Sequence, residues 1–262
     1  MSSTWLITGC SGGLGRILAE AVLARGDLVV ATARESRSLD DLAARYPDSC
    51  RTTALDVTHD GDAAAAAALA EQEFGGVDVL VNNAGRGMMG AIEEGTPAEY
   101  RSPFETNVFG LIETTRAVLP HLRRSGSGRI IMMSSGAWIA GIGGDGYYNA
   151  TKFAVEGLSE ALAQEVAPFG IATIIVEPGP FRTEFLGRSM RIAAVEMPEY
   201  SQTVGVRRKY RADNDGQQPG DPHKAVAVIL RAYELARTKF AAFLESMDQW
   251  EPVALHTAYQ DA

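Results

Sequence analysis

Residues 5–15 read Trp5-Leu6-Ile7-Thr8-Gly9-Cys10-Ser11-Gly12-Gly13-Leu14-Gly15: a short strand-forming run, a glycine-rich turn, and the start of a helical pattern reaching about Ala24. The strand run is continuous rather than alternating, which suits burial on both faces. Glycine is required in such a turn because backbone N–H groups must approach a pyrophosphate where a Cβ would intrude. The helix behind it adds unpaired donors and a positive dipole end. Strand before and helix after mark Gly9, Ser11, Gly13, Leu14 and Gly15 as candidate phosphate-turn residues.

Further apolar runs repeat the pattern along the chain. Leu28 to Ala31, residues 51–55, Val77 to Val81, Arg129 to Met133 and Ile171 to Val176 alternate with segments of helix length. An alanine-rich stretch, Ala63 to Ala68, is strongly helix-forming. Six such strands, or seven with Ala241 to Glu245, predict an α/β fold: a Rossmann-type doubly wound parallel sheet with helices on both faces. One domain over residues 1–262 is expected. The stretch 181–218 breaks the rhythm, carries no clear strand, and is read as a substrate-lid insertion or an extra structural helix.

Composition narrows the partners. A net charge of −9 disfavours nucleic acid and anionic membranes. No apolar run approaches spanning length, and residues 1–9 lack a signal pattern, so a cytoplasmic protein without membrane attachment is expected. Cys10 and Cys50 make no disulfide framework, and the four histidines lack metal-ligand spacing, so no metal is expected.

Arg34 follows the second strand in Ala31-Thr32-Ala33-Arg34. An acidic residue at that strand end would bind the 2′-hydroxyl of NAD, whereas an arginine pairs with the 2′-phosphate of NADP. The sequence therefore favours NADP(H) over NAD(H), against the alternative of a solvated loop arginine.

Tyr148-Asn149-Ala150-Thr151-Lys152 sets a phenol and an ammonium four residues apart on one helix face. A free phenol ionises near pH ~10, and an adjacent cation should lower that value into a range useful for proton transfer. With eight tyrosines and four lysines in 262 residues, chance supplies about 0.1 such pairs. Ser135 closes a strand 13 residues before Tyr148. Tyr147 has Thr151 in place of a lysine, so Tyr148 and Ser135, rather than Tyr147 and Ser134, form the pair.

Together these motifs resemble the short-chain dehydrogenase/reductase family. The match runs through Thr8-Gly9 to Gly15, Asn82-Asn83-Ala84-Gly85, Asn107, Ser135, Tyr148 with Lys152, and Pro178-Gly179 followed by Thr183. The resemblance implies that Tyr148 exchanges a proton with the substrate oxygen, which Ser135 hydrogen-bonds. It implies that Lys152 binds the nicotinamide ribose and depresses the Tyr148 pKa, and that Asn107 holds a water leading from Lys152 to solvent. Asp56, with Val57, would contact the adenine, or Asp56 would cap a helix. Asn83, Ala84 and Gly85 would border the adenine ribose or stabilise the sheet. Thr183 and the Phe181 backbone, after Pro178 and Gly179, would position the carboxamide. Met132-Met133 depart from the smaller polar residue often found before the serines. A homodimer or homotetramer built through the helices of Tyr148 and Asn107 is also implied.

The implied reaction interconverts a hydrophobic ketone or aldehyde and its alcohol. Met88, Met89, Trp138, Ile142 and Tyr147 are candidate substrate contacts because they are large and apolar, although several could fill the core instead. From Arg182 to Arg211, seven basic residues face three acidic ones, a charge that could receive phosphate or form a solvated helix face. An NADP-binding sensor without turnover is the alternative, as is an epimerase or lyase. The presence of the whole Tyr148, Lys152, Ser135 and Asn107 set argues against the sensor. The short chain and its Thr-Gly-x-x-x-Gly-x-Gly spacing argue against an epimerase or lyase of the longer branch.

Overall fold

The computed structural model describes residues 2–238. In chain order the strands are β1 (Thr4–Ile7), β2 (Leu28–Ala33), β3 (Cys50–Ala54), β4 (Val79–Asn82), β5 (Gly87–Met89), β6 (Gly128–Met133), β7 (Ile171–Val176) and β8 (Met190–Ile192). The helices are α1 (Gly13–Ala24), α2 (Asp40–Arg45), α3 (Asp62–Phe74), α4 (Pro97–Phe104), α5 (Gly110–Ser125), α6 (Gly146–Val166), α7 (Val204–Asn214) and α8 (Pro222–Thr238).

Six strands form a wholly parallel sheet in the order β3-β2-β1-β4-β6-β7, the doubly wound α/β arrangement expected from the alternating runs. Successive residues of each strand enter opposite cores, which is why the runs are continuous. Trp5, Ile7, Val29 and Ala31 pack with Leu18, Val22, Val226 and Ile229 beneath α1 and α8. Leu6, Val30, Leu80 and Ile130 pack with Ala66, Ala70, Leu111 and Val155 beneath α3, α5 and α6. From the alanine-rich helix α3, Ala63, Ala66, Ala67 and Ala70 form the buried face, where small side chains let the helix lie close to the sheet, while Ala64, Ala65 and Ala68 face outward.

The chain winds one way from β1 through β2 to β3, then returns to β4 on the other side of β1. Loops leaving the carboxyl ends of β1 and β4 consequently diverge, which opens a crevice at that switch point.

The segment 181–218 does contain a strand, contrary to expectation. β8 pairs in parallel with β5 (Gly87↔Met190, Met88↔Arg191, Met89↔Ile192), a two-stranded sheet apart from the main one. Three-residue strands are too short to show a period, and their partners lie about a hundred residues apart. The expected strand near Ala241 to Glu245 lies outside the described residues.

Candidate active site

The glycine turn is built against the loop after β4. Asn83 Nδ2 donates to Thr8 O at 2.8 Å, and the backbone N–H groups of Asn83 and Ala84 both donate to Thr8 Oγ1 at 2.9 Å. Gly9 has φ +73°, and a Cβ there would fall 3.0 Å from the Ala84 Cα. At Gly15 a Cβ would lie 2.6 Å from the Gly9 carbonyl oxygen. So Gly15 is demanded by packing inside the turn, and Asn83 is the brace that holds the turn's shape. Cys10 is a buried filler: its Sγ donates to Ile7 O at 3.3 Å, and burial pushes its thiol up to about 12.

A cleft of about 590 Å³ starts at this turn and runs to the amino-terminal end of α6. Gly9, Ser11, Gly13 and Leu14 line it, as do Asn83, Ala84 and Gly85 across the crevice. Arg34, Asp56 and Val57 border one end, and Pro178, Gly179, Phe181 and Thr183 form the opposing wall. Ser135, Ile142, Tyr148 and Lys152 complete it.

Tyr148 is 8% exposed, with its ring 5.5 Å from that of Phe185 between centroids. Burial pushes its phenol up to about 12, opposed by a hydrogen bond from Ser135 and reinforced by the nearby Asp145. Ser135 Oγ accepts the Ala137 N–H at 3.2 Å, which leaves its hydroxyl hydrogen to be donated to the Tyr148 oxygen. Lys152 is 6% exposed, its Nζ lies 5.7 Å from the Tyr148 ring centroid, and it donates to Met133 O at 2.7 Å. Burial draws the Lys152 ammonium down to about 8. Burial and Asp145 hold the Tyr148 phenol above its ordinary value in this structure, while the Lys152 ammonium is held on a backbone carbonyl.

Asn107 stands just behind, in a π-type turn over Glu105–Phe109. Its Nδ2 donates to Arg86 O at 2.8 Å and to Thr151 Oγ1 at 2.9 Å, while its Oδ1 accepts the Arg86 N–H at 2.9 Å. Both amide hydrogens are used, so this side chain staples α6 to the loop after β4. A water could be held only through its remaining lone pair or its main chain.

Asp56 is not a helix cap. Burial would raise its pKa, yet bonds from Thr58 N at 3.0 Å and Thr58 Oγ1 at 2.7 Å hold it below the usual carboxylate range, helped by the charges of His59 and Arg34. Asp62 caps that turn instead, accepting the Asp56 N–H at 2.9 Å.

Three expected substrate contacts do not line the cleft. Tyr147 stacks on Tyr100 at 5.1 Å between centroids and donates its hydroxyl to Ile92 O at 2.6 Å, on the other side of α6. Met88 and Met89 are buried within β5. Ile142 does line the cleft, half-exposed, whereas the Trp138 side chain lies outside the described residues.

Sequence reasoning missed three charged residues in the cleft. Asp145 precedes α6, is 3% exposed, and accepts Arg207 Nη2 at 2.6 Å; burial raises its pKa against that pairing. Arg86 is drawn below the ordinary arginine range by burial and by the charges of Arg34 and Arg191. Arg188 reaches the glycine turn, where its Nη2 donates to Ser11 Oγ at 2.9 Å. Only the position of Asp145 beside the tyrosine motif gave a usable signal. The others depend on long-range folding.

The excess of positive charge from 182 to 211 is largely spent internally. Arg207 pairs with Asp145, Arg208 with buried Glu94, and Lys209 with Asp213. Arg182 donates to Gln218 O, and Arg211 to Gly187 O.

Residues 3–191 match the family described as short chain dehydrogenase. The chain belongs to the short-chain dehydrogenase family. This dehydrogenase is 38% identical over 232 residues to the oxidoreductase BOA17 of Botryotinia fuckeliana, covering 88% of this chain and 84% of that protein. A short-chain dehydrogenase from Streptomyces avermitilis superposes with a TM-score of 0.82 at 43% identity, covering 98% of each chain. A 3-ketoacyl-(acyl-carrier-protein) reductase from Brucella melitensis, complexed with NADH, superposes with a TM-score of 0.67 at 30% identity, covering 72% of this chain and 85% of that one. Among the described residues, no helix is long and apolar enough to cross a membrane.

Proposed function

We propose that this dehydrogenase is an NADP(H)-dependent reductase of hydrophobic ketones or aldehydes, with Tyr148 as the proton donor. One observation carries the reading: the buried Tyr148 phenol, bonded by Ser135, opens into the same cleft as the glycine turn. That turn fits a dinucleotide, since Ser11, Gly12 and Gly13 line the cleft and the α1 amino terminus lies directly behind them. Ser11, Gly13 and Leu14 would hold the phosphates, while Thr183 and the Phe181 backbone would orient the nicotinamide.

When bound, the cofactor supplies the hydride. Ser135 donates a hydrogen bond to the substrate oxygen as it gains charge. Tyr148 then releases its proton to that oxygen. A phenol held near 12 is protonated at neutral pH, the state needed to give a proton to a carbonyl. Lys152, with its ammonium fixed on Met133 O, orients the ribose and stands ready to restore the proton balance of Tyr148.

Arg34, with Arg86 and Arg191 close enough to influence one another, gives the adenosine end a positive field suited to a 2′-phosphate. β2 itself carries no carboxylate, and Asp56 is the acidic neighbour that Arg34 helps hold below the usual carboxylate range. The substrate end is walled by Ile142, Phe185, Leu186, Met190 and Tyr210, which supports an apolar substrate beneath a lid formed by 181–218. Phe109, Phe153 and Leu158 expose apolar surface around α5 and α6, which supports self-association through those helices.

The test is NADPH oxidation against a panel of apolar ketones and aldehydes. Tyr148→Phe should lose activity by about a thousandfold while binding NADPH almost normally, and Tyr147→Phe should retain most activity. Tyr148→Phe activity within about tenfold of wild type would remove the assignment.

A further inference from the structure

The arginine that closes on the glycine turn comes from the far end of the chain. Arg188 donates from Nη2 to Ser11 Oγ at 2.9 Å across 177 residues of sequence. The same Nη2 lies 3.7 Å from the point a Cβ on Gly12 would occupy, and Glu184 Oε2 lies 3.6 Å from that point. Gly12 immediately precedes α1, so a cation and an anion from one segment both overhang the free N–H groups of that helix. Neither charge is firmly committed: Arg188 Nε and Glu184 Oε2 are 3.7 Å apart, with side chains 59% and 71% exposed. The far side of the same segment is anchored, because Arg208 pairs with Glu94 and Arg207 with Asp145.

We propose that Arg188 is a cofactor-binding residue that clamps the dinucleotide pyrophosphate, and that Glu184 is the anion competing with that phosphate for it. The inference rests on the reading that this cleft holds a dinucleotide. A guanidinium fork matches two phosphate oxygens and gains from charge on both partners. A carboxylate at the same point repels phosphate, so binding requires Arg188 to exchange Glu184 for the ligand. Phe185 lies between the two residues in sequence and packs on Tyr148 at 5.5 Å between centroids. Cofactor capture by Arg188 therefore fixes the wall over the proton donor before substrate enters.

ADP-ribose is the discriminating probe, since it carries the pyrophosphate without nicotinamide or 2′-phosphate. Its Kd is measured by isothermal titration calorimetry on the full chain for wild type, Arg188→Ala, Arg188→Lys and Glu184→Gln. Arg188→Ala should weaken binding by about tenfold or more and flatten its salt dependence, Arg188→Lys should weaken it less, and Glu184→Gln should tighten it about threefold. The opposite signs separate a phosphate clamp from a merely structural ion pair, whose loss would weaken binding in both variants. Arg188→Ala binding within about twofold of wild type, or weaker binding by Glu184→Gln, overturns the inference. Should Arg188→Ala fail to fold, the sign of Glu184→Gln decides alone. Wild type that binds neither ADP-ribose nor NADPH sinks the dinucleotide reading itself, whereas normal wild-type binding with an indifferent Arg188→Ala sinks only the clamp.

Discussion

Replacing Lys152 with methionine should make this protein more stable while disabling it. The ammonium is 6% exposed, donates to Met133 O at 2.7 Å, and has its pKa drawn by burial from 10.5 to about 8. That difference corresponds to about 3 kcal/mol of unfavourable charge burial at neutral pH. Methionine has similar length and no charge, but it leaves Met133 O without its donor, a loss of about 1 kcal/mol. The net gain is about 2 kcal/mol at pH 7, or a Tm higher by roughly 4–8 °C for a chain of this size. The sign with pH is fixed by the folded pKa lying below the unfolded one. Between about 8 and 10.5 the unfolded chain holds more protons, so wild type gains stability through that window and the advantage of Lys152→Met shrinks. Tyr148 acts in the opposite sense, but only above its unfolded value of 10.0. Thermal melts followed by circular dichroism at pH 7 and pH 9.5 therefore isolate the lysine. A Lys152→Met protein that melts at or below wild type at pH 7, or keeps the same lead at both pH values, refutes the reasoning.

Two other substitutions probe the ends of the cleft. Arg34→Ala should raise the KM for NADPH about tenfold or more and leave that for NADH within about twofold, measured by steady-state kinetics; unchanged discrimination would move the 2′-phosphate away from Arg34. Arg208→Met leaves the Glu94 carboxylate buried with only the N–H groups of Ala91 and Met197 as donors, and should destabilise by about 3 kcal/mol in urea titrations. Adding Glu94→Gln should recover much of that loss, and an Arg208→Met protein as stable as wild type would show the pair to be dispensable.

The sheet could be read from the sequence because its strands are buried on both sides: Trp5 and Ile7 enter one core while Leu6 enters the other, so the apolar run is unbroken. The tyrosine assignment could be read because offset along a helix and a strand is local information. Tyr147 and Tyr148 are neighbours, yet roughly 100° of helical rotation sends one to Tyr100 and the other to the cleft. Residue type alone could not place the substrate contacts. Met88 is as apolar as Met190, yet Met190 lines the cleft and Met88, in the strand paired with it, does not. Charged partners were the least legible, since Arg86, Arg188 and Glu94 take their meaning from residues brought together only by the fold.

The electrostatics of residues 182–211 illustrate why a count of charges misleads. Seven basic residues in that stretch suggest a field for an anionic ligand. Arg207 and Arg208 instead fasten α7 to Asp145 and Glu94, and Tyr210 of the same helix lines the cleft. Removal from water, rather than a surplus of positive charge, dominates the electrostatics around Tyr148 and Lys152. That removal raises the phenol to about 12 and lowers the lysine to about 8, moving the two groups in opposite directions from nearly equal starting values. The burial that costs stability at Lys152 is therefore the same burial that raises the Tyr148 phenol.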